Sequence, residues 1–511
     1  MQQESTTSDA EYTFVKMTHN YMSRNLDMLH AIEQNWTGIG EDEWKRKNYF
    51  LDLPLKWELS LAVEDQNSII GYLFASEDCS KVISRVSNVN KIVVDYPYRG
   101  HGIGKQLMEK YFEACLENGI EFCELKALTN NSAANNFYAG LGFKKTGELE
   151  GTDNLIRNIY EKRLYMKVPH SRPMIDEGDI KEAVNVLRTG MLASGDMVSL
   201  FEEELSRYIG VRGGVAVNSG TNALILALKA LDIKQGDEVI IPSYVCVSVL
   251  TAVESTGATA VFADTEPDSY NIGYRSAEDK ITENTKSIIV PHLFGNPADI
   301  DRFVKLDVPI IEDCAQSIGS NHDGKKLGSS GLLSIYSFYA TKVMTTGQGG
   351  MVMTDSEEML EKLKDLTRYD KREDYAISYN FSLTDIQAAI GINQLKRLDS
   401  FIEQRQKIAG IYNNTFEELN LVFPIIKDNI YFRYVIEVDN VDSCIKEMGK
   451  RGVCCDTPIF KPLHQYFDID DSEYPNTKKV MDKAISIPLY PSLKPEEINF
   501  VCDAIKAVWT G

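Results

Sequence analysis

From the helical pattern at Asp179–Gly190 to about Asp355, short apolar runs alternate with helical patterns. That alternation admits little besides a parallel sheet with helices on its faces. One run within it, VPIIEDCAQSIGS (Val308–Ser320), reads as a buried strand that ends in Glu312-Asp313 and then turns into small residues. Carboxylates at the carboxyl end of such a strand stand where open α/β sheets bind ligands. Upstream, Gly214–Leu231 is a strand, a Ser-Gly-Thr-Asn turn and an apolar-periodic helix. Free amides and hydroxyls at a helix N-terminus bind phosphate, so Ser219, Gly220 and Thr221 form a candidate cradle.

Downstream, SIYSFYATKVMTTGQGG (Ser334–Gly350) sets Lys342 among hydroxyls and glycines. A lysine amine attacks an aldehyde only when unprotonated, and the small neighbours let backbone approach a phosphate. Pyridoxal phosphate (PLP) meets both conditions, and a carboxylate on its pyridine nitrogen makes the ring an electron sink. Asp313 is the candidate for that carboxylate. The bland alternatives are a strand-end lysine and a helix-capping acid.

The segments SGTNAL, IIPSYVCVS, EDCAQSIGS, SFYATKVMTTGQGG, YNFSLTDIQAAIG, PIFKPLH and IPLYPSLKPEE occur in an order and spacing that resemble the PLP-dependent nucleotide-sugar aminotransferases of the DegT/DnrJ type, over about 167 to 511. The resemblance implies a fold-type I enzyme, a homodimer with its active sites at the subunit interface. By motif position Lys342 would be the covalent anchor, Asp313 the partner of the pyridine nitrogen and Gln316 the neighbour of the ring hydroxyl. Ser219, Gly220, Thr221 and Ser337 would hold the phosphate, with Asn380 reaching it from the partner chain. Two positions depart from the family pattern: Cys246 stands where a ring-stacking aromatic is frequent, and Ser382 where an arginine is common.

Residues 12 to 166 form a separate unit. Helix-like segments run to about Asn48, WELSLAVED and SIIGYLFASE read as strands around a polar DQN turn, and a third strand covers Asn88 to Asp95. An Arg-Gly-His-Gly-Ile-Gly turn (Arg99–Gly104) then opens an amphipathic helix with Leu107, Tyr111 and Leu116 among its apolar positions. A glycine turn at a helix start suits an anion, although R-x-x-G-x-G is not the dinucleotide fingerprint. A polar loop, a short helix carrying Phe137-Tyr138, and Gly142-Phe143 leading into a strand follow. Together these segments resemble the GNAT superfamily of acyl-CoA-dependent N-acyltransferases. The resemblance implies that the amides of Arg99, Gly100, His101, Gly102, Ile103 and Gly104 hold the coenzyme A pyrophosphate. Val93 and Val94 would offer backbone groups to the acetyl-pantetheine arm, Asn131 would lie near it, and Tyr138 would protonate the leaving thiolate. The plain alternative for Tyr138 is a core aromatic. For the general base Glu58, Glu64, Asp95 and backbone with water stay open.

The expected architecture is thus α/β: a GNAT-like mixed-sheet domain (1–166) fused to a fold-type I aminotransferase (167–511) with a small α+β subdomain from about 380. The linker near Lys167 is short, which limits reorientation. A formal charge of −21 without a basic stripe argues against a nucleic-acid partner. Nine cysteines without a CxxC pair read as reduced rather than stapled or zinc-binding, and no metal site is expected. The start, MQQESTTSDAEYTF, lacks a basic segment and apolar run, and no stretch approaches ~18 apolar residues, so a soluble cytoplasmic protein is expected.

Transamination makes a primary amine and an N-acetyltransferase consumes one. The combined expectation is a bifunctional enzyme that aminates an NDP-4-keto-6-deoxyhexose with glutamate and acetylates the product with acetyl-CoA, for a surface glycan. The rival readings are a PLP-dependent sugar dehydratase, against which Lys342 speaks because such members carry histidine there, an acyltransferase for an unrelated amine, and a regulator that senses PLP or acyl-CoA.

Overall fold

The computed structural model describes residues 12–34, 49–81, 84–370, 372–419 and 428–509. It divides into two compact units, Met1–Lys167 and Val168–Gly511.

In the first unit a seven-stranded sheet runs in the order Thr13–Lys16, Leu61–Asp65, Ser68–Glu77, Val86–Val94, Phe122–Leu128, Ile156–Arg163, Lys144–Glu150. Only the pair Val86–Val94 and Phe122–Leu128 is parallel. The polar DQN turn closes a tight hairpin, with Gln66 and Asn67 both at positive φ (47° and 68°), as the right-handed twist of the flanking strands demands. Two expectations change. The WELS stretch is not strand: Lys56–Leu59 is a helical turn, and the strand begins at Leu61. The reason lies in Lys56, which is buried and donates to the carbonyls of Tyr49 and Leu51 at 2.8 Å each. Leu116 does not belong to the buried face of helix Ile103–Glu117: it is 47% exposed, and Cys115 continues the Leu107–Tyr111 stripe in its place. The helical pattern expected to reach Asn48 is helix His19–Gln34, and its continuation over 35–48 lies outside the described residues.

In the second unit the seven-stranded sheet runs Thr259–Ala263, Glu238–Pro242, Thr285–Pro291, Ile310–Asp313, Leu333–Ser337, Gly350–Thr354, Gly213–Val217. All neighbours are parallel except those of Gly350–Thr354. Strands such as Ile310–Asp313 and Leu333–Ser337 are buried at every position, which explains their unbroken apolar runs. A two-stranded antiparallel pair, Tyr434–Glu437 with Ala484–Ile487, and the helices Leu398–Glu418, Val441–Lys450 and Pro495–Trp509 make the smaller α+β layer. Val435, Leu463 and Ala484 pack into the same hydrophobic cluster as strand residues such as Val239, Ile289 and Ile311, which ties the smaller layer to the sheet. Among the described residues no helix is long and apolar enough to cross a membrane.

Candidate active site

The strand Ile310–Asp313 sends alternate side chains to opposite faces, and its last two carboxylates therefore do different work. Glu312, fully buried, accepts from the N–H groups of Gly328, Ser330 and Gly331 at 2.6–2.9 Å and faces His292 Nε2 at 3.1 Å. Burial raises this carboxyl, but those donors prevail and hold it below the usual range. His292 Nδ1 accepts from Ala298 N–H at 3.0 Å, so the ring proton sits on Nε2 and points at Glu312.

Asp313 instead lines a cavity of about 250 Å³ that it shares with Lys342, Gln316, Cys246 and Ser337. Its Oδ1 takes one hydrogen bond, from Ala315 N–H at 3.0 Å. Burial pushes its carboxyl up, against the pull of that N–H, Lys342 and His292. A cation brought to it would favour the ionised form.

Lys342 sits in the loop between Leu333–Ser337 and Gly350–Thr354, its Nζ 5.0 Å from the centre of the Phe432 ring. Burial lowers its pKa, opposed by the charges of Asp313 and Cys246 and reinforced by Arg433. That direction favours the unprotonated amine that attack on an aldehyde requires.

At another wall of the cavity, Ser219 in extended backbone caps helix Gly220–Ala230 by accepting from Asn222 N–H at 3.1 Å. The N–H groups of Gly220 and Thr221 and the hydroxyls of Thr221 and Ser337 have no partner among the described residues. Close packing fixes them. A Cβ on Gly220 would stand 2.9 Å from that of Ser337, and one on Gly350 would run into the Ser219 carbonyl. Gln316 Oε1 accepts from Phe294 N–H at 2.8 Å, and buried Phe294 holds φ 61° to make that bond.

These residues fit PLP: an anion cradle at one wall, an acid for the ring nitrogen, and an amine to bind it. When bound, the cofactor supplies the electron sink. Asn380 is exposed and lies outside the cavity of its own chain, while the neighbouring Ser382 bridges to Val217 beside the cradle. Sequence reasoning missed His292, Tyr339 and Gln348, which also line the cavity. For His292, a histidine directly after a buried strand was a usable signal.

In the first unit the parallel ladder between Val86–Val94 and Phe122–Leu128 stops at Val89, so the strands part toward their carboxyl ends. Val93 pairs with Tyr72 of the neighbouring strand, and the Val94 carbonyl accepts from Arg99 Nε at 2.9 Å. The turn that follows has Gly100 and Gly102 at φ 80° and 81° and leads into Ile103. The N–H groups of Gly100, His101, Gly102, Ile103 and Gly104 have no partner among the described residues, a row suited to a pyrophosphate. Asn131 spends its side-chain oxygen capping helix Ser132–Gly140. Tyr138 is buried among the rings of Phe137, Phe143 and Tyr160. Of the three carboxylates open as general base, Asp95 caps the turn at Tyr96, Glu64 accepts from Tyr21 and Glu58 is exposed.

Residues 173–506 match the DegT/DnrJ/EryC1/StrS aminotransferase family. The chain belongs to that family. Residues 26–143 match the acetyltransferase (GNAT) family. The aminotransferase is 32% identical over 379 residues to the spore coat polysaccharide biosynthesis protein SpsC of Bacillus subtilis (strain 168), which spans 67% of this chain and 97% of that protein. It is 31% identical over 360 residues to the GDP-perosamine synthase of Escherichia coli O157:H7, spanning 67% and 99%. Among solved structures, the PLP form of the sugar aminotransferase Spr1654 from Streptococcus pneumoniae superposes with a TM-score of 0.63 at 27% identity, over 67% of this chain and 99% of that one. PLP is thus the family's cofactor, and the cavity around Lys342 is where an aminotransferase of this family would hold it.

Proposed function

We propose that this chain aminates an NDP-4-keto-6-deoxyhexose with glutamate as donor and then acetylates the new amine with acetyl-CoA. The observation that carries the first step is the convergence of the Lys342 amine, the Asp313 carboxyl and the unpartnered N–H groups of Gly220 and Thr221 on one cavity. A nucleotide-linked sugar is supported by the name of the GDP-perosamine synthase relative, and a surface glycan by that of the spore coat polysaccharide protein. Acetylation is supported by the GNAT match and by the row of free amides from Gly100 to Gly104. Chemistry joins the steps, since the first makes the primary amine that the second consumes. Tyr138 is the proposed acid for the departing thiolate, Asn131 and the backbone at Val93 and Val94 the flank of the pantetheine arm.

The active unit is a homodimer in which Asn380 of one chain completes the phosphate site of the other; its exposure and its place outside its own cavity are consistent with that role. A fully active monomer in light scattering would contradict it. The coupling is tested by two variants. Lys342→Ala should still acetylate a supplied 4-amino sugar nucleotide, and Tyr138→Phe should release the free amine, with acetylation slowed ~10²- to 10⁴-fold. A Tyr138→Phe chain that acetylates at the normal rate would remove that residue from the mechanism.

A further inference from the structure

Of the nine cysteines only Cys79 and Cys246 are exposed. Cys79 sits in a turn of the first unit, whereas Cys246 lines the cavity that holds Lys342 and Asp313. Other groups on that wall show what the thiol opens onto. Ser337 and Asp313 are only 9% and 7% exposed, yet the Ser337 hydroxyl and Asp313 Oδ2 have no partner among the described residues. Buried polar groups left open in this way mark a place where a ligand sits. Cys314 gives the contrast. It follows Asp313 directly, but it is buried away from the cavity wall, and that burial pushes its thiol up.

Cys246 ends the short segment after strand Glu238–Pro242 and stands at the N-cap of helix Val247–Glu254. Its side chain makes no capping bond, so the sulfur is left to the cavity. The Ser248 hydroxyl donates to that sulfur at 3.2 Å, and the charge of Arg433, on which Asp456 also acts, reaches it. A donor, a cation and a helix start are the surroundings in which an accessible cysteine attacks soft electrophiles.

We propose that Cys246 is a peroxide-modification site guarded by the cofactor: hydrogen peroxide converts its thiol to a sulfenic acid while the cavity is open, and the modified side chain then keeps PLP out. This rests on the reading of the cavity as the PLP site. The sulfur attacks one peroxide oxygen and the O–O bond breaks. The second oxygen leaves and takes up the thiol proton to become water, so the sulfur loses two electrons and the peroxide gains them. The product puts an added polar oxygen on the wall of a cavity of about 250 Å³. A thiol reductant returns sulfenic acid to thiol, which makes the change reversible. A filled cavity denies peroxide this sulfur, so cofactor occupancy sets when it reacts.

The test uses the whole chain, loaded with PLP or stripped of it, with loading read by the borohydride tag on Lys342. After treatment with peroxide and then catalase, surviving thiols are blocked with N-ethylmaleimide and each cysteine peptide is read by mass. PLP at about ten times its Kd should slow the loss of the Cys246 thiol on the order of 10-fold and leave that of Cys79 unchanged. Stripped protein treated with peroxide should lose most of its PLP uptake, and dithiothreitol should restore it. Cys246→Ala should take up PLP equally before and after peroxide. A Cys246 thiol that survives peroxide in the stripped protein, or is lost equally fast in the loaded one, overturns the inference. So does a loss of uptake that persists in Cys246→Ala. Should that variant fail to fold, the comparison of loaded and stripped wild type decides. A chain in which borohydride fixes no cofactor to Lys342 would sink the cofactor reading instead.

Discussion

The chain carries two glycine-bearing turns at helix N-termini, and they use glycine for opposite reasons. At Gly100 and Gly102 the backbone is left-handed, and a Cβ there would meet nothing within 4 Å. Those glycines are present for conformation, since the turn exposes a row of amides only if φ is positive. At Gly220 the backbone is ordinary and the space is full, with Ser337 and Gly350 pressed against the helix start. That glycine is present for proximity. The first arrangement suits a ligand that comes and goes along an open turn, the second a cofactor held among packed side chains with a lysine as tether.

The comparison is sharpest where the chemistry is covalent. Lys342→Ala should abolish both turnover to the amino sugar and the attachment of cofactor by borohydride, because that amine alone can form the bond. Persisting attachment would place the tether on another lysine. Asp313→Asn should keep the cofactor bound yet cut transamination on the order of 10³-fold, read by steady-state rates beside an unchanged cofactor spectrum. A smaller effect separates the two glycines. Gly220→Ala should weaken cofactor binding on the order of 10-fold, since the added Cβ meets the Ser337 side chain. Gly102→Ala should cost about 1–2 kcal/mol in thermal unfolding of the first unit and be relieved by trimming no neighbour. Rescue of Gly102→Ala by any such trimming would erase the distinction.

The smallest expected effect is on pH dependence. The folded Lys342 has a pKa below its ordinary value of 10.5, so between the two values the unfolded chain holds a proton that the folded one does not. Stability of the cofactor-free protein should rise with pH across that window, by at most about 1.4 kcal/mol per unit, and be lost as pH falls through the lowered value. Asp313, raised by burial, should contribute in the opposite sense, with stability lost as pH rises through its folded pKa. Lys342→Met should flatten the alkaline slope in denaturant titrations.

What was legible in the sequence was local. Ser219–Thr221, Asp313 and Lys342 each announce themselves within a few residues, because a strand end, a helix start and a reactive loop are short-range patterns. The misjudged face of Leu116 arose from choosing between two adjacent apolar positions, which periodicity alone leaves open. The misread start of the WELS strand had a different cause, since nothing in an isolated lysine foretells a buried amine taking two backbone carbonyls.

The central claim is that one chain makes an amine and then consumes it. Incubating the wild-type protein with a panel of keto sugar nucleotides, glutamate and acetyl-CoA, with products followed by mass, tests it directly. The account predicts an amino sugar nucleotide that appears first and is converted to its N-acetyl derivative in the same reaction. An amino sugar nucleotide that accumulates and is never acetylated while acetyl-CoA remains would contradict it.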